Sequence, residues 1–311
     1  MTNLIQQMLS GDRLALSRLM SQVESRSSPA GYGDFISVMK EVQKKCGRAQ
    51  TLGITGPPGA GKSTLVNQVI SHFRKAGKTV GVVAVDPSSP FSGGAVLGDR
   101  IRMQEHSGDE GVFVRSLGSR GSHGGLSRAT REVVKLYDAF GMDRVIVETV
   151  GVGQTELDVK GLVETTVLVL TPESGDAIQT LKAGILEIAD ILVVNKSDRD
   201  GALLMRKELQ AMLTLGGSNV DWDVPVLTLQ ADKGVGIAEL ISAVTAHQKY
   251  LAGAGQKIQK ERRQKILREE VLEIVLDEIR IRLSERIDPQ VLDVSDNPYE
   301  LAQRLLESQK I

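Results

Sequence analysis

Between residues 51 and 246, short apolar runs alternate with longer stretches whose apolar positions recur every three or four residues. The runs are 51–55, 79–85 (TVGVVAV), 112–116, 144–148 (RVIVE), 166–170 (TVLVL), 191–195 (ILVVN) and 224–229 (VPVLTL). They are β-branched and mostly apolar without alternation, the pattern of parallel strands covered on both faces. Strand–helix repetition predicts an α/β fold, a doubly wound, mostly parallel sheet. In residues 1–46, Leu4, Met8, Leu14, Leu16, Leu19, Met20 and Val23 fall near helical spacing, and the stretch 26–33 (RSSPAGYG) separates them from a second helix over 34–45. Near the other end the spacing predicts one long helix over 247–285, stopped by Asp288-Pro289, and a short amphipathic piece over 298–306. The long helix opens with interleaved charges (KIQKERRQKILREE), which predicts a solvated face laced by i,i+4 pairs. Its Leu267, Val271, Ile274, Val275, Ile279 and Leu283 form an apolar stripe that needs a partner surface. The chain thus divides into a helical N-terminal arm (1–46), an α/β domain (47–246) and a C-terminal helix and docking arm (247–311).

Ligands of such sheets meet the carboxyl ends of the strands, and the chemically informative residues follow the apolar runs. After the first run comes G-x-x-x-x-G-K-S: Gly56, Pro57, Pro58, Gly59, Ala60, Gly61, Lys62 and Ser63, then Thr64 and a helix-forming run. This strand–loop–helix context is the one a phosphate-binding loop requires. Its N–H groups can wrap a polyphosphate, Lys62 adds a charge for the terminal phosphates, and Ser63 offers a hydroxyl to Mg²⁺ at a helix N-terminus. After the second run stand Asp86 and, in a Gly-rich stretch, Asp99. On residue type alone these are turn aspartates, but their position relative to the loop makes them candidates for Mg²⁺ or its waters. The fourth run ends Glu148-Thr149-Val150-Gly151: an acid that can hold Mg²⁺ through water, and a glycine N–H that can sense a γ-phosphate. The sixth ends Asn195-Lys196-Ser197-Asp198. A carboxylate at Asp198 can accept from the guanine N1–H and amine together, a donor pair that adenine lacks. Lys196 can lie along the base, and Asn195 can tie this loop to the phosphate loop. After the last run come Gln230, Ala231 and Asp232, where the Ala231 N–H could meet the guanine O6.

Composition narrows the picture. Of 311 residues, 41% are apolar and 25% charged, and the net charge is −1, which gives no bias toward nucleic acid or membrane. The one cysteine, Cys46, has no partner in the chain, which fits a reducing compartment. No apolar run approaches a membrane span and residues 1–15 lack an export-signal core, so a cytoplasmic location is expected. His72, His106, His123 and His247 are scattered, and no Cys/His cluster has metal-ligand spacing. The basic stretch around His123, with Arg115, Arg120 and Arg128, is a candidate contact for a partner or a second subunit.

GPPGAGKST, VDPSS, GGAVLGDRIRM, ETVGVGQTE, LTPESGDAIQTLKAG and NKSD stand here in the order found in the MeaB/ArgK/MMAA GTPases, which the sequence resembles over nearly its whole length. The resemblance implies a P-loop NTPase of the SIMIBI type with helical extensions. It implies GTP/GDP binding with Mg²⁺, with Asp86, Asp99 and Glu148 around the metal and γ-phosphate. It implies that Lys182, in a third switch loop, couples nucleotide state to a client. Members of that family are homodimeric chaperones of adenosylcobalamin-dependent acyl-CoA mutases, chiefly methylmalonyl-CoA mutase. No cobalamin site is evident in this chain. Val152, and not a glutamine, follows Gly151, with Gln154 two residues further on, so hydrolysis is expected to be slow until a partner orders the switch loops. A P-loop kinase and a switch with negligible hydrolysis are the alternatives.

Overall fold

β-Branched and leucine side chains draw the apolar runs into strands. The computed structural model describes residues 2–24, 32–86, 104–106, 108–118, 128–149, 159–174, 188–215, 222–284 and 297–307. The strands are β1 (Gln50–Thr55), β2 (Val80–Asp86), β3 (Val112–Gly118), β4 (Arg144–Thr149), β5 (Thr165–Leu170), β6 (Ile191–Val194) and β7 (Val226–Thr228), each within three residues of the sequence reading. They pair in parallel in the order β3-β2-β4-β1-β5-β6-β7. β1, which feeds the phosphate loop, therefore lies at the centre, flanked by β4 and β5.

Helices cover both faces. On one, α4 (Lys62–Lys75) packs Leu65, Val66, Val69 and Ile70 onto Ile54, Ile146 and Val167. On the other, α5 (Arg128–Phe140) places Val133, Leu136 and Tyr137 over Val83, Val145 and Val147. The N-terminal α1 (Thr2–Leu9), α2 (Arg13–Glu24) and α3 (Tyr32–Gln43) join that second core through Met8, Leu16, Met20 and Val42. Asp12 separates α1 from α2 by accepting the Leu14 N–H at 2.8 Å and the Ala15 N–H at 3.2 Å, as helix-capping aspartates do. Leu14, placed in the apolar stripe from spacing alone, is instead 58% exposed. Under β5–β7 lies α6 (Ala202–Leu215), anchored by Met205 and Leu209.

The single long helix expected over 247–285 is two helices. α7 (Ile237–Ala252) packs beside α4, and α8 (Gln256–Ser284) leaves it at a turn. Gly253 and Gly255 make that turn, where the Gly255 N–H donates to the Tyr250 carbonyl at 2.8 Å. Helical spacing continues across the break, so the apolar period alone does not reveal it. The short C-terminal piece is α9 (Pro298–Glu307).

Besides the i,i+3 pair of Arg280 with Asp277 within α8, several charges of this helix pair across to other elements. Arg128 and Arg131 of α5 meet Asp277 and Glu273 at 2.7 Å each, and Lys135 meets Glu270. Steps of three and four on both helices, run antiparallel, bring the acids and bases into one ladder. Nearer the start of α8, Arg262 reaches Asp190 at 3.3 Å and Arg263 reaches Glu164 at 3.2 Å. Arg128 is thus paired within the chain. So is Arg115, which clamps Glu24 of α2 with two bonds of 2.6 Å. Arg120 and His123 lie outside the described residues.

Candidate nucleotide site

The site sits at the carboxyl edge of the central strands, where β1 hands the chain to 56–61 and then to α4. Two glycines are dictated by their surroundings. Gly56 has φ 143°, and a Cβ there would lie 2.1 Å from the Val169 carbonyl oxygen. Gly61 has φ 86°, and a Cβ there would lie 2.3 Å from Asn195 Nδ2. Side chains are excluded at both places by backbone strain and by contact. The loop therefore presses directly on β5 and on the residue after β6.

Lys62 is buried, and its ammonium donates to the Gly56 carbonyl at 2.8 Å and the Pro57 carbonyl at 2.9 Å. Phosphate oxygens arriving above the loop would exchange these neutral acceptors for charged ones, which form stronger hydrogen bonds. Ser63 Oγ donates to Glu148 Oε1 at 2.6 Å, although the two belong to α4 and β4. Glu148 is 1% exposed. A buried carboxylate oxygen against a helix-N-terminal hydroxyl is a set of hard oxygen donors, and this fits Mg²⁺. An ion held by these two side chains would supply positive charge to offset that of the phosphates.

Asn195 knits three segments together. Its Nδ2 donates to the Ala60 carbonyl at 2.8 Å, as expected of a residue tying this loop to the phosphate loop, and its Oδ1 accepts the Ala231 N–H at 3.1 Å. This second bond departs from the sequence reading. The Ala231 N–H proposed for the guanine O6 is spent on Asn195, so a base would have to share it. Lys196 takes the left-handed region at φ 56°, unusual for a side-chain-bearing residue, and its ammonium donates to the Gly59 carbonyl at 2.9 Å. The Ser197 N–H donates to Leu229 O at 3.1 Å, and Gln230 exchanges backbone bonds of 3.1 Å with Val235. Asp198 and Asp232 stand exposed on the rim. Next to Asp198, Arg199 pairs with Glu173 and, chiefly through that hydrogen bond, lowers the Glu173 carboxyl to about 2.

The fold therefore brings Gly56, Pro57, Pro58, Gly59, Ala60, Gly61, Lys62, Ser63 and Thr64 to one edge with Glu148, Asn195, Lys196, Ser197, Asp198, Gln230, Ala231 and Asp232. Asp86 ends β2, with β4 between it and β1, and its side chain lies outside the described residues. Asp99, Gly151, Val152, Gln154 and Lys182 also lie outside them. One feature had no sequence signal: a buried hydrogen bond of 2.8 Å between the hydroxyls of Thr55 and Thr149. The lone cysteine takes no part, since burial pushes the Cys46 thiol up to about 12 and keeps it protonated.

Comparison with known proteins agrees with this geometry. The family model described as "Methylmalonyl Co-A mutase-associated GTPase MeaB" matches residues 16–288. A protein of Pyrococcus horikoshii, named a GTPase by inference, is 45% identical over 98% of this chain and 96% of its own. The GTPase ArgK of Escherichia coli is 36% identical over 88% of this chain and 85% of its own. A crystal structure described as an LAO/AO transport system kinase superposes with a TM-score of 0.71 at 28% identity, covering 99% of this chain and 96% of that one. With a family match spanning most of its length, and with the G-x-x-x-x-G-K-S loop, Glu148 and the Asn195-Lys196-Ser197-Asp198 run assembled at one edge of the sheet, the chain belongs to the MeaB family of GTPases.

Proposed function

We propose that this protein binds and hydrolyses GTP as a chaperone of an adenosylcobalamin-dependent acyl-CoA mutase, gating cofactor loading and protecting the client. Methylmalonyl-CoA mutase is the client this reading names. The observation that carries the GTPase half is the convergence of Lys62 and Ser63, Glu148 and Asn195 from three segments at one loop. Support for the client half is the family's own description and a mouse relative, a methylmalonic aciduria type A homolog, 37% identical over 71% of this chain and 56% of its own. In this reading the loop N–H groups and Lys62 grip the phosphates, Ser63 and Glu148 hold Mg²⁺ with Asp86 and Asp99, and Asp198 reads the base. Gly151 senses the γ-phosphate and Lys182 passes its state to the client.

The Val152 side chain offers no hydrogen bond to an attacking water, so the reading predicts slow turnover alone. Completion by a partner accelerates other GTPases by about 10³–10⁵. The protein is proposed to act in the cytoplasm as a homodimer, with the α8 stripe against a second copy. Leu267 and Val271 on that stripe are 59% and 49% exposed. Among the described residues, no helix is long and apolar enough to cross a membrane. Single-turnover release of phosphate from GTP, with and without the mutase, tests the reading. A faint rate raised strongly by mutase supports it, whereas fast turnover indifferent to mutase refutes it. The likeness to the transport system kinase, 28% identical, raises phosphoryl transfer as a second reading. Transfer of the γ-phosphate to a small molecule or protein, in place of release, would favour it.

A further inference from the structure

We propose that the Thr55–Thr149 hydroxyl pair is a positioning device for hydrolysis, setting the phosphate loop against Glu148; this rests on the GTPase reading above. Thr55 directly precedes Gly56, and Thr149 directly follows Glu148. The ladder between β1 and β4 has its last registered partners at Ile54 and Glu148. The hydroxyl bond of 2.8 Å extends that tie one residue further, at the point where the two strands give way to loops.

Strand alternation puts the pair on the opposite face from the catalytic contact. Ile54 and Ile146 face α4, as does Glu148, whose carboxylate meets Ser63. Thr55 and Thr149 therefore face the α5 side, where Val83, Val85 and Val147 are buried. The strand ends are held from above by Ser63–Glu148 and from below by Thr55–Thr149. Thr149 is also registered to Val85 of β2, and Thr55 to Leu168 of β5. The pair thus joins the two halves of the sheet at the level of the site.

Packing alone does not call for hydroxyls here. Both threonines are 0% exposed, and valine occupies equivalent inward positions at 83, 85 and 147. Exchanging both members of a buried neutral hydrogen bond for apolar groups of the same shape is close to neutral in stability, whereas exchanging one strands the other. What a hydroxyl pair adds over two valines is a fixed separation. A slide of β1 past β4 would carry Ser63 away from Glu148, and catalysis is sensitive to displacements of an ångström.

The test compares wild type with T55V, T149V, T55V/T149V and T149S. Three quantities are read: the thermal midpoint, GDP affinity with Mg²⁺ and with chelator, and GTP turnover at saturation. Each single valine variant should melt a few degrees lower, and the double variant should recover to near wild type. Turnover should nevertheless fall about tenfold in the double variant, and the gain in GDP affinity that Mg²⁺ confers should shrink several-fold. T149S, which keeps the hydroxyl, should retain both. Wild-type turnover and Mg²⁺ response in the double variant would overturn the inference, as would a double variant that melts below both singles. Wild type that neither binds GDP nor hydrolyses GTP would sink the GTPase reading itself, an outcome distinct from an active wild type beside an indifferent double variant.

Discussion

Replacing Asn195 by alanine tests the site at its most connected residue. The side chain is 3% exposed and spans two backbone groups, the Ala60 carbonyl at 2.8 Å and the Ala231 N–H at 3.1 Å. Alanine strands both. A buried backbone group left without a partner costs about 1–3 kcal/mol, so the pair costs about 2–6 kcal/mol if neither is rescued. The deleted amide leaves room for a water that can satisfy part of this need, so we take the lower part of the range, about 2–3 kcal/mol. At about 1.4 kcal/mol per tenfold, loss of that alignment on nucleotide binding weakens GDP affinity by about 30–150-fold. If the same cost falls on global stability, the thermal midpoint of a chain this long drops by about 3–5 °C. Titration with a fluorescent GDP analogue reads the first quantity and a melting scan the second. Asn195→Asp sharpens the test. It keeps an acceptor for Ala231 but turns a second oxygen toward the Ala60 carbonyl, so two buried acceptors face each other. The aspartate variant should therefore bind more weakly than the alanine variant. GDP affinity of the alanine variant within threefold of wild type, or an aspartate variant that binds better than alanine, would refute the reasoning.

Other perturbations separate the remaining parts. Asp198→Asn should shift preference from GTP toward XTP, because an amide donor matches the xanthine carbonyl; unchanged GTP affinity in a competition assay would remove Asp198 from the site. The buried His247 hydrogen-bonds Thr165 at 2.9 Å and lies 3.5 Å from Asp190, with the charges of Arg262 and Lys160 also acting on it. Burial, the largest cause, lowers its pKa below the ordinary 6.5. The unfolded chain then binds the proton more readily, so stability is fully present above about pH 6.5 and is lost as pH falls toward the lower folded value. Melting scans of wild type should fall off more steeply below pH 6.5 than those of His247→Gln; parallel curves would disprove the role of His247.

The parts of the site encoded by local spacing were legible in the sequence. The loop from Gly56 to Ser63, the strand-end Glu148 and the Asn195-Lys196-Ser197-Asp198 run each carry their chemistry within a few residues, and the strand before each is readable from its apolar run. Other features depend on neighbours distant in sequence. The break between α7 and α8 hides within a continuing apolar period, and only the glycines at 253 and 255 mark it. The acids at Glu270, Glu273 and Asp277 and the bases at Arg128, Arg131 and Lys135 are each visible as steps of three and four. Their pairing needs the knowledge that α8 runs back along α5. The motif suggests the Ala231 N–H for a ligand, and what only the fold reveals is that Asn195 Oδ1 already accepts from it.

The same distinction explains why so few polar contacts organise so much of the nucleotide edge. Parallel strands fix their neighbours by backbone ladders, but the ladders end where the loops begin, and there side chains must take over the alignment. Ser63 to Glu148 aligns α4 with β4, Asn195 aligns the phosphate loop with the exits of β6 and β7, and Thr55 to Thr149 aligns β1 with β4 on the reverse face. Each of these bonds crosses between segments at least 36 residues apart in sequence. Those of Asn195 and of the Thr55–Thr149 pair are buried, in low-dielectric surroundings where a hydrogen bond is stronger and its loss costs more than at the surface, and that of Ser63 with Glu148 is partly so. The strands supply rigidity and the buried polar ties supply registration, which is why a conservative change at a tie should disturb nucleotide handling more than a comparable change within the apolar core.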